Sequence, residues 1–117
     1  MANARRIEKV QVLGREILAE IIARELQFPE GTLVTVTRVE VSGDLYYARV
    51  FVSVLGRDAQ AENIVLTELA RATGAMQLEL NRRLRMRPVP RITFEIDEDE
   101  KRRERIEKLL TENAPGD

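Results

Sequence analysis

Tyr46-Tyr47-Ala48-Arg49-Val50-Phe51-Val52-Ser53-Val54-Leu55 is the stretch on which the fold turns. Ala48, Val50, Val52 and Val54 fall on one side of an alternating pattern; Arg49, Phe51 and Ser53 fall on the other. A period of two with β-branched residues on one side marks a strand with one buried face. Upstream, Thr32 to Val41 is dense in Val and Thr. Between the two runs, Ser42-Gly43-Asp44 is turn chemistry: glycine permits positive φ, and the short polar side chains bond the nearby backbone. The pair predicts an antiparallel hairpin.

Outward from the hairpin the period changes to that of a helix. Before it, Ile7, Val10, Leu13, Ile17, Leu18, Ile21 and Ile22 form one apolar stripe, stopped at Pro29-Glu30-Gly31. After it, Asp58 is placed to cap a helix from about Ala59, whose stripe is Ala61, Val65, Leu69 and Ala72. Gly74 interrupts this pattern, and Met76, Leu80 and Leu84 resume it. A mid-helix glycine costs about 1 kcal/mol relative to alanine. Gly74 therefore reads as a kink, a close backbone contact or a tolerated packing glycine. Pro88 and Pro90 end the helix, Ile92, Phe94 and Ile96 alternate as a third strand, and a charged stretch follows from Glu98. Helix, strand, strand, helix, helix, strand predicts an α+β domain: a three-stranded sheet with its helices on one face. The folded part is expected over 1–97, with 98–117 a charged extension, partly helical and disordered from Ala114 to Asp117.

Composition narrows the chemistry. The chain has 117 residues, no cysteine and no histidine. Disulfides, thiolate metal sites, cysteine nucleophiles and histidine bases are all excluded. The acids from Glu95 to Glu100 are the one arrangement resembling a Mg²⁺ site, but neighbours on a strand point to opposite faces and no second acidic cluster converges on them. No enzyme activity, metal or cofactor is expected. With no apolar run of membrane-spanning length and an amphipathic opening helix, the protein reads as soluble, cytoplasmic and monomeric.

Charge distribution carries more information than total charge. Residues 71–91 hold Arg71, Arg82, Arg83, Arg85, Arg87 and Arg91 against Glu79 alone, in a chain whose net charge is −1. A local excess on a near-neutral chain reads as a phosphate footprint rather than a nonspecific polycation, the alternative being a solvated helix face. Arg82 and Arg85 are expected to face outward from the helix after Gly74, with Arg83 and Arg87 flanking its buried stripe. Arg5, Arg6, Lys9 and Arg15 form a second basic cluster in the first helix. Phe51 and Phe94 read as core residues; Tyr46 and Tyr47, beside the turn, read mainly as surface, with RNA contact the lesser alternative, so backbone recognition is expected to dominate over base readout.

Four stretches in order give the chain a family resemblance: Arg6-Ile7 through Arg15-Glu16-Ile17-Leu18; Val34-Thr35-Val36-Thr37-Arg38-Val39-Glu40-Val41-Ser42 with Asp44-Leu45; Ala48 through Gly56; and Leu84-Arg85-Met86-Arg87 through Val89-Pro90 to Ile92-Thr93-Phe94 and Asp97. Together they resemble the ribosome-binding factor A family over about Arg5 to Asp97. The resemblance implies a type-II KH-like fold in which an Ala-x-Gly helix kink, here Ala72-Thr73-Gly74, replaces the GxxG loop. It also implies binding to the immature 30S subunit through 16S rRNA, with support of late maturation and pre-rRNA processing, including in the cold. Ribosomal proteins and other assembly factors are further expected partners. Gly43 stands where the family usually has proline, and Glu98 where serine is common. The alternative reading is a protein-binding adaptor acting through the hairpin or the C-terminal helix.

Overall fold

The computed structural model describes residues 3–112, and the expected order or disorder of Ala114 to Asp117 lies outside them. Its elements are α1 (Ala4–Glu25), β1 (Leu33–Val41), β2 (Tyr47–Leu55), α2 (Ala61–Arg83), β3 (Arg91–Ile96) and α3 (Glu98–Glu112). Among the described residues no helix is long and apolar enough to cross a membrane.

The sheet order is β1-β2-β3, with β1 and β2 antiparallel and β2 and β3 parallel. A parallel pair needs a crossover, and α2 provides it. Ala48, Val50 and Val52 meet Ile17, Leu18, Ile21 and Ile22 of α1 and Val65, Leu69, Met76 and Leu80 of α2 in one buried cluster. Leu13, expected on the buried stripe, stands exposed, and Gly14 is buried in its place. Along β1 the alternation slips at Thr37, where the register jumps between Val36 and Arg38. This bulge keeps Val36 and Val39 buried while placing Arg38 opposite Phe51 and Glu40 opposite Arg49.

Two local expectations are corrected. The hairpin takes its positive φ at Leu45 (64°), not at Gly43. Leu45 is buried in the core, so packing outweighs the cost of a left-handed non-glycine residue. Asp58 does not cap α2; its side chain accepts from the Gln60 amide, and the helix starts at Ala61. The segments on either side of Gly74 occupy their predicted places and lie in one helix, α2, which includes Ala72-Thr73-Gly74. Gly74 is exposed, and a Cβ there would meet nothing within 4 Å. Close backbone contact does not explain this glycine. The stripe on both sides packs against the same core, which holds the helix together across it. Thr73 donates its hydroxyl to the Leu69 carbonyl one turn back (2.8 Å), a bond that interior helical threonines commonly make.

Asp97 ends β3 and starts α3. Its Oδ1 accepts from the Glu100 amide at 3.0 Å, and acids at Glu98, Asp99 and Glu100 suit the positive end of the helix. No residue of α3 is buried; Lys101 ties it to Glu62 of α2 at 3.0 Å.

Candidate nucleic-acid interface

The nine cations expected to bind RNA do not behave as one set. Arg5, Arg6 and Lys9 stand exposed on the first turns of α1 and make no ion pair among the described residues. Arg15 is used structurally, because its Nε donates to the Val36 carbonyl at 3.3 Å, and Gln11 similarly accepts from the Val41 amide at 3.0 Å. Those two side chains satisfy backbone groups on the free edge of β1. Arg15 therefore lines the groove between α1 and β1 rather than extending the basic surface.

On α2, Arg71 pairs with Glu68 one turn back, holding that carboxyl below the usual range. Arg83 reaches Glu20 of α1 at 3.0 Å, and Arg24 of α1 reaches Glu79 at 3.6 Å. The Arg83 hydrogen bond holds the Glu20 carboxyl below its ordinary value. These contacts join the end of α2 to the later turns of α1. Glu20 lies fifteen residues beyond Arg5, or about 22 Å along the helix. The structure thus brings α2's last turn to α1 without bringing it to α1's basic first turns.

What remains free is the very end of α2 and the segment after it. Arg82 is 75% exposed, with Glu79 no nearer than 3.8 Å. Leu84 is the C-cap, so Arg85 and Arg87 are not on the helix as expected; they project from the connection to β3. The helix ends there because Leu84 turns to an extended conformation while its side chain stays buried, which anchors the connection to the core. Arg85, Arg87 and Arg91 are exposed and make no ion pair among the described residues. Arg91, within the charge run but outside the expected site, opens β3 beside them. Arg85, Arg87 and Arg91, without an ion pair among the described residues, and Arg82, held only at 3.8 Å by Glu79, are suited to forked contacts with phosphate.

The sheet face away from the helices is different. Phe51 is only 5% exposed yet lies outside the main core; the Arg38 guanidinium sits 3.8 Å from its ring centroid and that of Arg49 5.0 Å. Arg49 forks onto Glu95 at 2.6 and 2.8 Å, which holds that carboxyl low and raises the arginine. Arg38 pairs with Glu40, Asp97 and Asp99. Burial alone would push the Asp97 carboxyl up. Hydrogen bonds from Thr37, the Glu100 amide and Arg38 outweigh it and hold Asp97 below its ordinary value. Four of the five acids considered for a metal site are thus engaged with cations: Glu95, Asp97 and Asp99 as above, and Glu100 with Arg103.

The family model described as ribosome-binding factor A matches residues 6–110. Ribosome-binding factor A of Natranaerobius thermophilus is 41% identical over 112 residues, covering 96% of this chain and 85% of that one. The crystal structure of ribosome-binding factor A from Thermus thermophilus superposes with a TM-score of 0.62 at 31% identity, over 77% of this chain and 94% of the other. A Thermus thermophilus ribosome binding factor A homology model, fitted into the cryo-electron-microscopy map of a 30S complex, gives 0.61 at 32% identity, over 73% and 88%. The α+β, KH-like architecture is that of these structures, and the chain belongs to the ribosome-binding factor A family.

Proposed function

We propose that this chain binds the 30S ribosomal subunit through 16S rRNA and assists late maturation of the subunit and processing of its precursor rRNA, including in the cold. The observation that carries the reading is the group of exposed, weakly paired or unpaired arginines at Arg82, Arg85, Arg87 and Arg91, on a chain of net charge −1. Such a surface takes phosphates without making the whole molecule a nonspecific polycation. The fitted 30S complex of a relative supports the choice of the small subunit. In this reading the factor is a cytoplasmic monomer without catalytic residues, residues 1–97 are the binding domain, and 98–117 are an accessory extension. Arg5, Arg6 and Lys9 form a separate, secondary contact.

Sucrose-gradient sedimentation at low and high salt tests it. The protein should travel with free small subunits at low salt and leave them as salt rises. For about five phosphate contacts, log K against log salt should fall with a slope of roughly −3.5 to −4.5. Sedimentation with translating ribosomes only, or salt-indifferent binding, would defeat the proposal.

A further inference from the structure

The connection after α2 encloses a cleft of about 440 Å³ lined by Gln77, Asn81, Met86, Arg87, Val89 and Arg91. Gln77 is committed to the backbone: its Oε1 accepts from the Ile92 amide at 3.0 Å, and its Nε2 donates to the Pro90 carbonyl at 3.0 Å. The same Nε2 donates to Asn81 Oδ1 at 3.1 Å. Because Ile92 must donate to Gln77, Gln77 must present its NH₂ to Asn81, and Asn81 must answer with oxygen. The Asn81 NH₂ is therefore the end left open. Arg87 and Arg91 add two exposed guanidinium groups, and no carboxylate lines the cleft. The side-chain polar groups it leaves open are donors: the Asn81 NH₂ and the two guanidinium groups. Beside it, Tyr47 stands directly opposite Arg91 across β2 and β3 and is 60% exposed.

We infer that this cleft is a phosphodiester subsite for single-stranded RNA: one backbone phosphate sits among Arg87, Arg91 and the Asn81 carboxamide, and the neighbouring base stacks on Tyr47. The inference rests on the function proposed above and names a part of it. Guanidinium forks match phosphate oxygens, and a neutral NH₂ adds a directed hydrogen bond. An exposed aromatic plane beside the phosphate site serves an unpaired base, because a base within a duplex is already stacked on both faces. Donor pocket and ring together select a nucleotide over free phosphate.

The test uses the full chain, a labelled ten-nucleotide oligouridine, an RNA duplex of equal length and purified 30S subunits. Asn81→Asp keeps the oxygen that Gln77 needs and places a negative charge where the open donor stood. It should weaken oligouridine binding about tenfold. Arg91→Gln should reduce the salt slope by about 0.7, the single-strand value for one ionic contact. Tyr47→Leu should lower affinity about tenfold without changing the slope. Duplex binding should be less sensitive to all three. Oligouridine binding that is unchanged in Asn81→Asp and Arg91→Gln, or in Tyr47→Leu, overturns the inference. If the unaltered chain sediments with 30S and these variants do so with the same salt response, the subsite alone has failed. If the unaltered chain does not sediment with 30S, the function proposed above has failed.

Discussion

The open face of the sheet and the connection after α2 are both rich in arginine, and they use it in opposite ways. On the sheet, Arg38 and Arg49 cover Phe51 and are held by Glu40, Glu95, Asp97 and Asp99. After α2, Arg85, Arg87 and Arg91 have no such partners among the described residues. The cause lies in register. Strand pairing sets Glu40 against Arg49 and Glu95 against Phe51, so carboxylates arrive beside guanidinium groups from neighbouring strands. Residues 71–91 contain one acid, and Glu79 is shared between Arg24 and Arg82. Acids within reach, more than the number of arginines, separate a surface that stabilises the fold from one that can take phosphate.

The strongest test of this contrast is Phe51→Ala. Removing a large side chain this buried should cost about 3 kcal/mol in urea unfolding, because the ring fills the space beneath two guanidinium stems. Affinity for 30S, measured where the variant is still folded, should be unaltered. Intact stability with lost binding would make the sheet face the interface and reverse the comparison.

Next is the triple variant Arg82→Gln, Arg85→Gln, Arg87→Gln. It should weaken 30S binding by about a hundredfold at low salt and flatten the salt slope by roughly 2 to 2.7, three contacts at 0.7 to 0.9 each. Its melting temperature should hold, since these groups are exposed and at most weakly paired. Arg38→Gln with Arg49→Gln should do the reverse: lower melting and unchanged binding. A salt slope identical in the two variants would erase the distinction.

Asp97→Asn sharpens the sheet side. The residue is 4% exposed and its carboxylate accepts from Thr37, Arg38 and the Glu100 amide, so the variant should lose about 2 kcal/mol. The sign with pH follows from the lowered carboxyl. Stabilisation is complete above the unfolded-state value near 4 and is lost as pH falls through the lower folded-state value. The unaltered protein should therefore lose stability below about pH 4 more steeply than Asp97→Asn. Parallel acid curves would exclude Asp97 as the group responsible.

Much of the frame was legible because it is periodic. The α1 stripe, the hairpin and the two halves of α2 follow from spacings of two, three and four. The β1 bulge left a trace: Val34, Val36, Val39 and Val41 skip a beat at Thr37, and a spacing of three inside a strand marks an extra residue. Other features had no local signal. Leu84 continues the stripe of α2, so its pattern could not show that the helix stops at Arg83 and that Arg85 and Arg87 leave it. Arg15 reads as surface charge until β1 lies beside it. Asn81 and Arg91 meet only because Gln77 pins the β3 approach to α2, a tertiary contact.

Gly74 gives the smallest and most discriminating effect. A glycine that bends a helix resists replacement, because alanine would straighten it; a glycine in a continuous, exposed turn only costs backbone entropy. Here the turn is helical, Gly74 is exposed and a Cβ has open space, so Gly74→Ala should stabilise the chain by about 0.5 to 1 kcal/mol. Affinity for 30S should not change, because Arg82, Arg85 and Arg87 are aimed by the Leu84 anchor and the Gln77 bonds rather than by a hinge. Weaker binding with higher stability would instead mean that a bend at Ala72-Thr73-Gly74 is used when the factor meets RNA.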